Sequence, residues 1–198
     1  GLMLYISAGY GVSIFDLSTS RFVDSYFFGV DNSKIEVNQT ALVGEFLYAA
    51  TEEGLYKANT SNPNLVLESA WNKIADGQWK SVGLVNNVIL GVVQSGSQVF
   101  CYGLTDDVAI EYQRLSGALL GVGVSNSELI LSFSNNIFAF DETQSVRTLA
   151  SASGSLSGQR FTSAAKVGNE LFIGTSGGGL LLHNPNRSKL LLKYSLPL

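Results

Sequence analysis

Apolar and polar residues alternate along this chain in short runs, each closed by glycine, asparagine, serine or aspartate. A period of two, punctuated by turn residues, predicts half-buried β-strands joined by tight hairpins. The clearest instance is residues 47–58, LYAATEEGLYKA, which reads as strand, turn at Thr51-Glu52-Glu53-Gly54, strand. Variants begin at Leu4 (LYISAGYGVSIFDL), Ile89 (ILGVVQSGSQVFCYGL), Leu129 (LILSFSNNIFAFD) and Leu171 (LFIGTSGGGLLLHNP), and the five starts are spaced by 43, 42, 40 and 42 residues. A strand-and-turn unit recurring at this period predicts a β-propeller, each unit being one blade.

The fold class expected is therefore all-β: a propeller of about five blades, four complete and one represented by three strands. The blades fall at approximately 1–30 (partial), 31–76, 77–116, 117–153 and 154–198, within a single domain spanning 1–198. The first hairpin matches the middle of the later units, so the innermost strand of that blade is expected upstream. The runs VILGVV at 88–93 and LLGVGV at 119–124 are apolar on both faces, as strands covered on both sides must be. A hairpin in every repeat argues against a parallel β-solenoid. One helical turn is expected at 72–77, and Trp71 is expected to cover the edge of its blade.

Composition narrows the function classes. Of 198 residues, 45% are hydrophobic and 14% charged, which is the balance of a packed core and not of a disordered chain. The net charge of −4 and the scattering of the 12 lysines and arginines argue against a nucleic-acid partner. No apolar run approaches the roughly 20 residues that a membrane-spanning helix needs, so no membrane insertion is expected. Cys101, the only cysteine, lies in a strand-like run and reads as a small buried hydrophobe. The chain opens directly on LMLYISA after Gly1, which reads as a tag remnant, so it is expected to be an excised piece without its targeting signal.

Candidate chemistry is sparse. His183 is the single histidine, no G-x-S-x-G elbow is present, and one cysteine with one histidine makes a poor ligand set for a transition metal. No catalytic residue, metal site or cofactor is expected. Gly177-Gly178-Gly179 lacks the lysine and following helix of a phosphate loop. Glu52-Glu53 and Asp106-Asp107 are paired carboxylates in turns; pairs of this kind can do acid–base work or hold a hard cation. Adjacent turn residues point apart, so these read first as solvated turn residues and second as ligands. Asp16, Asp141 and Asn184 occupy matching places after the third strand of their units, where such side chains fix a turn. Tyr5, Tyr10, Tyr26, Phe27, Phe28, Tyr48 and Tyr56 give the first two units an aromatic bias. Most are expected between blades. Tyr10, in a glycine-flanked turn, is the best contact candidate. The binding residues proposed from sequence, all on blade-end loops, are thus Tyr10, Glu52, Glu53, Asp106 and Asp107.

LFIGTSGGGLLLHNP, and more loosely YAATEEGLYKAN, resemble the repeat of two-component-regulator propellers. A more specific resemblance is to the amino-terminal propeller of PorZ-like proteins of the type IX secretion system. It rests on GYGVSIFDLSTSRFVDSYFFG (9–29), ALVGEFLYAATEEGLYKANTSNPNL (41–65) and WNKI (71–74). This resemblance implies an exported surface component of Bacteroidetes secretion machinery, at the outer membrane, working with a sortase-like protease that removes secretion signals. It implies a seven-bladed first propeller, of which this chain would be a part. It also implies partners in the rest of its own chain and in secretion-system proteins, with surface glycan bound by a carboxy-terminal part beyond this sequence. The function expected is a non-catalytic interaction scaffold; the alternative is the ligand-sensing propeller of a two-component regulator.

Overall fold

The computed structural model describes residues 2–125, 127–184 and 189–194, the last of these as backbone only. Five antiparallel sheets follow one another along the chain, with nineteen strands among the described residues. The first sheet has three strands: β1 (Met3–Ala8), β2 (Gly11–Asp16) and β3 (Arg21–Tyr26). The second holds β4 (Val37–Val43), β5 (Phe46–Thr51), β6 (Gly54–Asn59) and β7 (Trp71–Asp76). The third holds β8 (Trp79–Val85), β9 (Val88–Ser95), β10 (Gln98–Thr105) and β11 (Val108–Ser116). The fourth holds β12 (Gly121–Val124), β13 (Glu128–Ser132), β14 (Asn136–Asp141) and β15 (Val146–Ser151). The fifth holds β16 (Phe161–Val167), β17 (Glu170–Thr175), β18 (Gly179–Asn184) and β19 (Lys189–Tyr194). The end of the fifth blade expected at 154–198 lies in part outside the described residues.

Within each sheet, strands pair in chain order, and β1, β4, β8, β12 and β16 lie next to one another in succession. This is a propeller arrangement of blades, each contributing its first strand to the inner side. Four apolar layers fill the spaces between the five sheets. Val12, Phe28, Leu47, Ala49 and Trp71 meet between the first and second; Tyr48, Ala50, Leu55, Trp79 and Val82 between the second and third. Leu90, Val92, Cys101, Leu129 and Leu131 meet between the third and fourth; Ile130, Ala139, Leu171, Ile173 and Leu181 between the fourth and fifth. Successive residues of one strand thus serve opposite layers: Leu47 and Ala49 face backward, Tyr48 and Ala50 forward. The period-two pattern becomes a two-faced burial pattern, because strand side chains point alternately to the two sides.

Two expectations are corrected. Residues 72–77 carry no helical turn, since β7 runs through them; the short 3₁₀ turns are Val30–Asn32, Glu68–Ala70 and Gly154–Leu156. Trp71 does not cover an edge. It is buried between two blades, stacked on Phe28 at 3.8 Å, and its indole N–H donates to the Leu65 carbonyl at 2.9 Å. An indole is costly to bury without such an acceptor, and the 65–70 loop supplies one.

The third blade shows how tight the stack is. Trp79, almost fully buried, lies over Gly91, where an added Cβ would meet the ring at 2.5 Å. Gly91→Ala is therefore expected to destabilise the fold by about 1–3 kcal/mol through overpacking. A urea-unfolding midpoint unchanged from the parent would contradict this packing.

Candidate interaction surface

The two ends of the blades differ. One end carries the turn between the second and third strands of each four-stranded sheet, together with every crossover between sheets. The other carries the remaining hairpin turns. The crossover end carries long loops at 27–36 and 152–160, and the opposite end one at 60–70; loops held by a rigid scaffold are where binding residues concentrate.

Three of the inner strands begin with a bulge. Asn38, Lys80 and Thr162 each stand unpaired where the register of the first two strands slips, in β4–β5, β8–β9 and β16–β17. A bulge re-aims a side chain out of the alternating pattern. At the second and third blades it assembles a polar network. Asn38 Nδ2 donates to Glu52 Oε1 and to the Trp79 carbonyl, both at 2.8 Å, and Lys80 Nζ pairs with Glu52. Burial pushes the Glu52 carboxyl up, but the hydrogen bonds from Lys80 and Asn38 and the lysine charge outweigh it, holding its pKa below the ordinary value. Beside this network lies a groove of ≈540 Å³, lined by Asn38, Gln39, Lys80 and Gln94 on its polar side and by Leu119 and Leu120 on its apolar side.

The five residues proposed from sequence do not converge. Tyr10 and Glu53 lie at the crossover end. Tyr10 is 38% exposed, its hydroxyl is 2.8 Å from Ser13 Oγ, and its ring leans on Phe27 at 5.7 Å. Glu53 is exposed, with its backbone N–H donating to Thr51 Oγ1. Glu52 is not a freely solvated turn residue, since it ties the second blade to the third. Asp106 and Asp107 sit at the opposite end, in a turn whose φ values are +50° and +63°. Asp106 is exposed, whereas Asp107 receives Lys57 Nζ at 2.7 and 2.9 Å and the Tyr48 hydroxyl at 3.2 Å. Lys57 also lies 4.0 Å above the Phe46 ring. Burial pulls the Lys57 ammonium down, but hydrogen bonding to Asp107 and its contacts with Tyr48 raise it above its ordinary pKa.

The most buried charge among the described residues was not singled out from sequence. Glu128 is 2% exposed and pairs with Arg147 of its own sheet and Lys166 of the next. The signal was a glutamate heading the apolar run ELIL, where a solvated turn residue is the default. Asp16 and Asp141 do fix turns, accepting the N–H of Ser18 at 2.8 Å and of Thr143 at 3.0 Å, and Asn59 does the same for Ser61. Cys101 is fully buried, and desolvation pushes its thiol up to about 12, so it stays neutral. His183 is buried and lines the same shallow recess as Leu149 and Leu156. Among the described residues no three of His, Cys, Asp and Glu gather, and no helix is long and apolar enough to cross a membrane.

No protein-family model and no curated protein matches the sequence. Solved structures do. PorZ, an essential surface component of the type IX secretion system of Porphyromonas gingivalis, superposes with a TM-score of 0.73 at 15% identity, over 100% of this chain and 25% of that one. The extracellular domain of the hybrid two-component system BT4673 of B. thetaiotaomicron gives 0.64 at 14% identity, over 95% of this chain and 25% of that one. The computationally designed protein Ika8 gives 0.62 at 9% identity, over 97% and 57%. This chain thus spans about a quarter of the length of its PorZ and BT4673 counterparts. At these identities the likeness is one of fold, and it agrees with the propeller and with both resemblances expected from the repeats.

The Glu52 carboxyl, depressed in the folded state, contributes stability above its unfolded pKa, and that contribution is lost as pH falls through the folded value. Stability is therefore expected to decline as pH drops below about 4.3, and Glu52→Gln should flatten that decline. Urea titrations at stepped pH check this; an unaltered acid limb would contradict the network.

Proposed function

We propose that this chain is a non-catalytic propeller module, one domain over 1–198, whose crossover end binds protein partners of an exported assembly. One observation carries the proposal. Three carboxylates are spent on joining blades, Glu52 with Lys80, Asp107 with Lys57 and Glu128 with Lys166, and Arg147 holds Glu128 from within its own sheet. Each acid therefore holds a cation and is not free to move protons on a substrate. What the crossover end offers instead is tyrosine, amide and hydroxyl groups on a rigid frame, which is the chemistry of contact. Tyr10 and Glu53 are the exposed members of the sequence-derived set at that end, and they are proposed as contact residues; Asp106 is their counterpart at the other end.

The likeness to PorZ supports a place in a type IX secretion system, at the cell surface or in the periplasm, alongside a sortase-like protease that removes secretion signals. Partners would be other domains of the same protein and secretion components. The likeness to BT4673 favours a second reading, a sensing propeller in a two-component regulator.

Deleting the gene in its host separates the two. The secretion reading expects cargo to accumulate in the periplasm with uncleaved secretion signals, and restoration by the full-length gene. Normal cargo maturation, together with loss of a ligand-dependent transcriptional response, would overturn it in favour of sensing.

A further inference from the structure

A second groove at the crossover end has a distinct chemical character. It measures ≈460 Å³ and lies where the fourth and fifth blades meet. Its walls are the β13–β14 turn and the crossover from β15 to β16, with Asn135, Asn136, Ser151, Ser153, Gln159 and Arg160 facing it.

Several acceptors here are already in use. The carbonyls of Ser134, Asn135 and Arg160 receive the N–H groups of Phe161, Ala152 and Ser176 at 2.8–2.9 Å. Asn136 Oδ1 receives the Ser151 hydroxyl at 2.9 Å. The donors are not in use. Among the described residues, the side chains of Asn135, Ser153, Gln159 and Arg160 make no hydrogen bond or ion pair, and Asn136 keeps its amide hydrogens. Among the residues whose side chains are described, Arg21, Lys34 and Arg160 lack an ion pair, and Arg160 lines this groove. No carboxylate is in the lining.

The crossover is also held in shape before any ligand arrives. Leu156, 3% exposed, anchors it in the layer between the blades. The N–H groups of Leu156, Ser157 and Gln159 donate to Ser153, Gly154 and Leu156 within the loop.

A preformed groove with free side-chain amides, one guanidinium and no acid in its lining suits a ligand that joins a single negative charge to peptide groups. We propose that this groove binds the free carboxylate of an extended peptide, with Arg160 on the carboxylate and Asn135, Asn136 and Gln159 on peptide groups. Arginine matches a carboxylate with paired N–H donors, and side-chain amides match the backbone. One cation on a chain of net charge −4 is a poor receptor for a polyanion. The lining holds no aromatic ring on which a sugar would stack. The inference goes beyond the scaffold reading and requires neither secretion nor sensing.

The test titrates the chain with acetyl-tetraalanine bearing a free carboxy terminus, and with the same peptide as its amide, following backbone amide NMR shifts at low salt. The free acid is expected to bind, with shifts gathered at residues 135–136 and 151–160. The amide should bind at least about tenfold more weakly, the loss of a charged hydrogen-bonded pair. Arg160→Gln should weaken the free acid by the same factor without changing the melting temperature. No binding, equal binding of acid and amide, an unaffected Arg160→Gln variant, or binding of glucuronate in preference to the peptide would each overturn the proposal. The acid-against-amide comparison is made on the parent chain, so it stands whatever the variant does.

Discussion

Burial on both faces is the constraint on which this structure depends. A sheet in the middle of the stack has no solvent side, so each of its inner strands must satisfy two neighbours at once. Leu129 and Leu131 go to the third blade while Ile130 goes to the fifth, and all three are buried. Burying such a side chain stabilises by about 1.5–3 kcal/mol, and four such layers repeat along the chain. An exposed ion pair contributes about 0–1 kcal/mol. The apolar layers therefore hold the blades together, and the charged pairs act on top of that.

The polar pairs have a different task. Apolar contact is non-directional, and flat strand faces slide past one another at small cost. Glu52 with Lys80 and Asp107 with Lys57 fasten the second and third blades at both ends, and Glu128 fastens the fourth to the fifth. The third and fourth blades meet mainly through apolar residues, including Cys101 and Phe140. Bulges at Asn38 and Lys80 make the first of these contacts possible, by turning polar side chains toward a neighbour that regular alternation would have missed. Fixing blade geometry in turn fixes the grooves at the crossover end, where loops from neighbouring blades form a single wall.

The repeat made most of the fold legible. LYAATEEGLYKA and its variants carried strand, turn and period together, and the nineteen strands are those the pattern predicts. The failures were local. Residues 72–77 were the one place where a helical turn was expected, yet pairing of Trp71–Asp76 with β6 makes them strand. Trp71 looked like an edge cover because its partner, Phe28, is far away in sequence. The site was much less legible. Glu52 and Asp107 belong to turn pairs whose companions, Glu53 and Asp106, are exposed, and nothing local distinguishes one member from the other. Their roles depend on Lys80 and Lys57, brought in from the adjoining blade. Glu128 and the donor-rich groove are likewise products of blade-to-blade placement, which the spacing of residues in one strand does not encode.

Glu128, the buried carboxylate among the described residues, belongs to the blade stack. A double-mutant cycle on Glu128→Gln and Lys166→Met, read by urea unfolding, tests it most directly. These residues lie in different blades, and their partnership exists only if the fourth and fifth blades are stacked as described. A coupling energy of at least about 1 kcal/mol is expected. Strictly additive effects would mean that the two side chains do not meet, and would contradict it.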